Sequence, residues 1–158
     1  YGKEAEKPLR EIFKLDYPIY KVTYHEFKLV RNPDYPFIFA TLDGELEDKI
    51  SGERGVLEIK TTEILSSMAK ENWRDRVPDN YFIQVLHQIL ATGWSFAWLK
   101  AQLKYVYGEQ DIRHITNHYR FLRSEYREDL DYLLEQEIQF WREYVEADRR
   151  PPLLLPEI

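Results

Sequence analysis

The sequence predicts an α+β domain: a mixed central β-sheet flanked by helices. Runs rich in β-branched and aromatic residues fill the first third of the chain and return after Gly93. Apolar residues recur at helical spacing near both ends and once in the middle. The resulting order is helix, several strands, helix, strand, short strand, helix, and 158 residues are enough for one domain with a single sizeable core.

"YGKEAEKPLREIFKL" carries Ala5, Leu9, Ile12 and Phe13 at helical spacing. Pro8 is awkward inside a helix, so the regular part is expected to begin near it. Glu6 falls on or beside the apolar stripe, an odd place for a carboxylate. "YPIYKVTYHEFKLV" reads as a strand, "RNPDYP" as a turn, and "FIFATL" as a short buried strand ending at Asp43-Gly44. "ELEDKISGERG" fits a polar strand and a turn leading into "GVLEIKTTEI", so the short connections suggest an antiparallel meander. After Thr62 the chain reads as helix or loop through "EILSSMAKENWRDRVPDN". "YFIQVLHQILATG" then keeps Phe82, Val85, Leu86, Ile89 and Leu90 at helical spacing, with Gly93 as the stop. "WSFAWLKAQLKYVYG" alternates as a strand, and "DIRHITNHYRF" reads as another short strand and its exit. One long amphipathic helix is expected from about Ser124 to Ala147, with Leu130, Leu134, Ile138, Trp141 and Val145 on one face and a Pro-rich tail after it.

Composition excludes several classes. With 44% apolar and 32% charged residues the chain is globular rather than disordered. No apolar run approaches the roughly 20 residues of a membrane-spanning helix, so no membrane association is expected. The absence of cysteine rules out disulfides, cysteine-ligated zinc and thiol catalysis, and fits a reducing cytoplasm. A net charge of −6 does not advertise a nucleic-acid binder, but much of the acid lies late in the chain and a local basic groove is compatible with it. The chain begins at Tyr1 with neither Met nor a signal-like apolar segment, and reads as one domain, 1–158, lacking its natural N-terminal segment.

Chemistry concentrates in "GVLEIKTTEI". In an extended chain Val56, Glu58 and Lys60 share one face and Leu57 and Ile59 the other. A strand that sets a carboxylate beside an ammonium is either a solvated edge or a site. Asp43 ends a neighbouring strand, so two carboxylates would lie close together. They would repel, and burial would be costly. A divalent cation offsets both costs, oxygen ligands suit Mg²⁺ or Mn²⁺, and an adjacent lysine can orient a water molecule or take its proton. Asp43, Glu58 and Lys60 are thus a minimal set for phosphodiester hydrolysis. The spacing alone is weak. Glu58 and Lys60 also read as an exposed ion pair, Asp43-Gly44 as a turn former, Glu6 as a first-turn acid, and Gln84 and Tyr81 as boundary residues. His114 and His118 stand four apart with no third ligand evident, and His87 reads first as a packing residue and only then as a candidate for the same cleft as Gln84. Trp73, Arg74 and Arg76 form a loop that reads equally as a contact to a DNA backbone or as solvated.

Taken together, Asp43-Gly44, Glu58-Ile59-Lys60-Thr61 and Tyr81-Phe82-Ile83-Gln84, preceded by Gly2 to Glu6, resemble the YqaJ-like, or lambda-exonuclease-like, recombinase family of the PD-(D/E)xK nuclease superfamily. Phe140-Trp141 before Pro151-Pro152 is similar to members of the same group. Thr41-Leu42 stands where the family usually has Ser-Pro. The resemblance implies a mixed-sheet nuclease core in which Asp43, Glu58, the Ile59 carbonyl and Glu6 hold Mg²⁺, or Mn²⁺ in its place. It implies that Lys60 contacts the attacking water, that Gln84 and Tyr81 support the site, and that Thr61, Arg74 and Arg76 meet DNA. The family's reaction is degradation of duplex DNA from a 5′ end, feeding a single-strand annealing protein in phage-type recombination, and a homotrimer follows by analogy. Rival expectations are an endonuclease, a RecB-type helicase-associated nuclease, or a non-catalytic DNA-binding module on this scaffold.

Overall fold

Helix α1 runs from Gly2 to Asp16 and turns Leu9, Arg10 and Phe13 inward. It passes through Pro8 instead of starting there. Pro8 lies on the solvent side, where its missing N–H is least costly. The computed structural model describes residues 2–64, 73, 76–107 and 111–153.

The expected strand from Tyr17 to Val30 is two strands in two sheets: β1 (Tyr20–Thr23) and β2 (Leu29–Arg31). Phe27, at φ 60°, breaks the run. A bulky residue seldom adopts this left-handed conformation, so composition gave no sign of the break. β2 pairs with β3 (Phe39–Thr41) as a separate antiparallel hairpin. β3 is buried at Ala40 only, with Phe39 and Thr41 exposed, because it is half of a two-stranded sheet and not part of the central one. The expected meander is therefore interrupted. Instead β1 pairs with β4 (Gly44–Asp48), and β4 with β5 (Arg54–Ile64), both antiparallel.

After α2 (Asp79–Thr92), which ends at Gly93 in the left-handed conformation, β6 (Phe96–Tyr107) returns parallel to β5. β7 (Asp111–Leu122) then pairs antiparallel with β6 over its whole length. It is longer than its sequence suggests because as an edge strand it exposes 111–116, which hides the alternation. The central sheet has the order β1-β4-β5-β6-β7 and is mixed, as expected. The final helix divides into α3 (Arg127–Phe140) and a π-helical turn, Trp141–Glu146. At the junction Trp141 stacks on Phe37, with ring centroids 4.7 Å apart and planes 5° from parallel, which ties the β2–β3 hairpin to this helix. Of its expected apolar face only Leu130 is fully buried, and Val145 is exposed.

Two apolar layers sandwich the sheet. Leu9 and Phe13 of α1 meet Tyr20, Leu46, Leu57, Ile59 and Phe96 on one face. Val85, Leu86 and Ile89 of α2 meet Val56, Ala97, Leu99, Ala101 and Leu103 on the other. Phe13, Val56 and Leu57 have no exposure, and each such side chain contributes about 1.5–3 kcal/mol by leaving water. No helix among the described residues is long and apolar enough to cross a membrane.

Candidate active site

β4 and β5 separate after Gly44 pairs with Leu57. From Glu58 onward β5 keeps its partner β6 on one edge, to Ile64, while no strand among the described residues pairs with the other edge. Asp43 fills the fork. Its Oδ2 accepts a hydrogen bond from the Ile59 backbone N–H at 2.8 Å, replacing the ladder bond that β4 no longer supplies. The N–H and C=O of a strand residue leave the backbone on the same edge. The Ile59 carbonyl therefore also faces the fork. Gly44 permits the close approach, since a Cβ there would lie 3.2 Å from the Leu57 side chain.

Glu58 faces α2 and is 3% exposed. Three donors compensate its burial. Lys60 Nζ lies 2.6 Å and Gln84 Nε2 2.8 Å from Oε1, and Gln88 Nε2 donates to Oε2 at 2.6 Å. Gln84 and Gln88 are one helical turn apart on α2, which brings both amides to one carboxylate. Lys60 Nζ also lies 5.3 Å from the centroid of Tyr81, and Tyr81 stacks on Trp73 at 5.4 Å. The Asp43 carboxyl is pushed up from its ordinary 3.8 to about 7, first by burial and then by the neighbouring Glu58 charge and by Glu6. The Ile59 N–H and Lys60 pull in the opposite direction.

The structure thus brings Asp43, Glu58, Lys60, Gln84, Tyr81 and the Ile59 backbone together. Glu6, half-buried on α1, acts on Asp43 through its charge. Among the described residues no three His, Cys, Asp or Glu side chains are placed to hold a metal ion by themselves. Thr61 is half-buried on the α1 side, where a Cβ on Gly2 would lie 3.3 Å from its Oγ1. Arg76 is exposed three residues ahead of α2, and Arg74 lies outside the described residues. His87 does not join the cleft. It bridges Glu137 of α3, at 2.6 Å, and the Phe39 carbonyl, at 2.9 Å. His118 packs on α1 with its Nε2 4.0 Å from Asp16.

Two residues that sequence reasoning missed take part. Gln88 holds the second oxygen of Glu58, and Arg10 donates from Nε to the Asp43 carbonyl at 2.5 Å. The signal for both was a four-residue step, from Gln84 to Gln88 and from Glu6 to Arg10. The largest cavity described, about 600 Å³ with Leu90, Arg123 and Leu130 in its wall, touches none of these residues.

The donor set suits a hard cation. Two carboxylates and a backbone carbonyl lie at one fork, and the Asp43 carboxyl is raised first by burial and then by the Glu58 charge, both of which a divalent ion would offset. A model of the YqaJ-like viral recombinase domain matches residues 1–95, a span that holds every residue of this cluster. No curated protein matches the chain. An alkaline exonuclease from Laribacter hongkongensis is similar in structure, with a TM-score of 0.51 at 18% identity over 92% of this chain and 73% of that one. The same enzyme in complex with dAMP gives a TM-score of 0.52 at 19% identity over the same shares. At these identities the likeness is one of fold, that of the PD-(D/E)xK nucleases.

Proposed function

Because the chain belongs to the YqaJ-like viral recombinase domain family, we propose that it is a Mg²⁺-dependent deoxyribonuclease degrading duplex DNA from a 5′ end. The observation that carries this reading is the fork, where Asp43, Glu58 and the Ile59 carbonyl converge with Lys60 beside them. The nuclease fold and the family support it.

Asp43, Glu58 and the Ile59 carbonyl would hold Mg²⁺, or Mn²⁺ in its place. When bound, such an ion activates the attacking water and neutralises charge that develops on the phosphoryl oxygens. The chain's own groups do the rest. Lys60, anchored 2.6 Å from Glu58 and close to the Tyr81 ring, is positioned to orient the water by donating to it. Gln88 donates to Glu58 Oε2, while Lys60 and Gln84 share Oε1. Glu6 adds negative charge that favours a cation beside Asp43. Duplex ends are the proposed substrate, a single-strand annealing protein the proposed partner, and a homotrimer the proposed assembly.

The test compares linear with closed circular duplex DNA, in Mg²⁺ and in EDTA, for the unaltered chain and for Lys60→Ala. The expected outcome is release of mononucleotides from linear DNA only, dependent on Mg²⁺ and lost in the variant. Cleavage of circles would assign an endonuclease. No cleavage of either substrate in Mg²⁺ would overturn the reading.

A further inference from the structure

One face of α1 carries Lys3, Lys7, Arg10 and Lys14 at steps of four, three and four, so all four cations lie along a single line. They border a groove of about 460 Å³ that Glu6, Glu11 and Tyr24 complete. Four cations against two acids make this a basic strip on a chain of net charge −6. Glu11 answers Lys14, with 2.7 Å between them.

Arg10 differs from its neighbours. It is 5% exposed, yet no carboxylate among the described residues lies within ion-pairing distance of it. Its Nε donates to the Asp43 carbonyl, and its Cζ lies over the Tyr24 ring, 3.8 Å from the centroid. Neither contact is an ion pair; its terminal nitrogens donate to no protein group described and are not among the buried polar atoms, so they reach solvent beside the groove. A guanidinium whose terminal nitrogens are left to the groove matches a phosphate in geometry.

We propose that Arg10 anchors a phosphate subsite on α1 that takes a backbone phosphodiester of the bound DNA strand, next to the one being hydrolysed, with Lys7 and Lys3 continuing the track. The subsite rests on the nuclease reading for its substrate class. It explains how an acidic chain holds a polyanion. The bond from Arg10 to the Asp43 carbonyl sets the phosphate subsite and the fork at a fixed spacing, so engagement of the strand registers the scissile phosphate over the carboxylates.

The test measures binding of a linear duplex by fluorescence anisotropy in EDTA across a salt series, for the unaltered chain, Arg10→Gln, Arg10→Lys and Lys7→Gln. Each lost phosphate contact lowers the slope of log K against log[salt] by about 0.9. Arg10→Gln and Lys7→Gln are each expected to show that drop, with weaker binding that is uniform across sequences. Arg10→Lys is expected to keep the slope and lose affinity, because it keeps the charge and loses the fork. The same losses are expected on duplexes with a 5′-phosphate and with a 5′-hydroxyl. A loss confined to the 5′-phosphorylated duplex would overturn the assignment to the backbone. An unchanged slope in Arg10→Gln, with a lowered melting temperature, would reduce Arg10 to a structural role and overturn the proposal. Failure of the nuclease reading is separable: it appears as absent cleavage in Mg²⁺ by a chain whose binding still depends on Arg10.

Discussion

Replacing Asp43 by Asn keeps the shape of the side chain and the acceptor for the Ile59 N–H, and removes the charge. In the folded chain the Asp43 carboxyl titrates at about 7, against an ordinary 3.8. Between those values the folded protein holds a proton that the unfolded chain has released. Stability therefore falls as pH rises through this window, by about 1.4 kcal/mol per pH unit. The full loss is about 4 kcal/mol, a ceiling because Glu58 shares the interaction. The amide of the variant does not titrate and has no such loss. In EDTA, Asp43→Asn is expected to match the unaltered chain near pH 4 and to exceed it by about 2–4 kcal/mol near pH 8, read from urea unfolding followed by tryptophan fluorescence. Mg²⁺ should narrow the gap, since a ligand bound only by the folded state stabilises it by mass action and the variant has lost one carboxylate of the set. A difference that stays flat with pH, or an Asp43→Asn chain less stable than the unaltered one near pH 8, would refute the account of two carboxylates repelling in the fork.

Lys60→Ala should cut Mg²⁺-dependent cleavage by about 10²–10⁴-fold and also lower the urea midpoint, because it takes a cationic donor from the buried Glu58; normal activity in the folded variant would remove Lys60 from the chemistry. Gln88→Leu leaves Glu58 Oε2 without its donor in a buried place, and should cost about 1–3 kcal/mol by the same urea assay; an unchanged midpoint would show that the bond has no net worth. Lys100 is 1% exposed, with Asp16 3.2 Å from its Nζ and the Phe13 ring centroid at 5.9 Å. Lys100→Met should be neutral or stabilising and Asp16→Asn destabilising, and the reverse order in thermal melts would contradict the cost assigned to burying this ammonium. His87 is raised above its ordinary 6.5, chiefly by its hydrogen bond to Glu137. Its stabilisation is complete below that value and fades as pH rises through the raised one, so Glu137→Gln should lower the melting temperature near pH 6 and much less near pH 9.

The mixed sheet and its flanking helices could be read from the chain because period-two and helical patterns are strong in β6, α2 and α1. What stayed hidden followed from partners that no local pattern reveals. Tyr20–Thr23 and Leu29–Arg31 share one composition, yet a left-handed Phe27 sends them to different sheets. β7 looked short because an edge strand need bury only part of its length. At the site, Glu58 and Lys60 were visible as polar residues in an apolar strand. The feature that makes them a site was not, namely that β4 leaves β5 one residue earlier and Asp43 takes its place. Gln88 was concealed by its apolar neighbours on α2, and Arg10 by the assumption that a charged residue on α1 belongs in solvent.

β5 is the third of five strands, and the half that carries Glu58 to Lys60 is fastened to β6, which β7 covers in turn. Proteins also open locally, and an excursion that freed α1 or the β2–β3 hairpin would leave the middle of the sheet standing. Such an excursion carries away Glu6 and Arg10 and slackens Asp43, while the acid and lysine of β5 remain joined to each other. Under the proposed function such a chain would lack a complete site and would not cut DNA while half open.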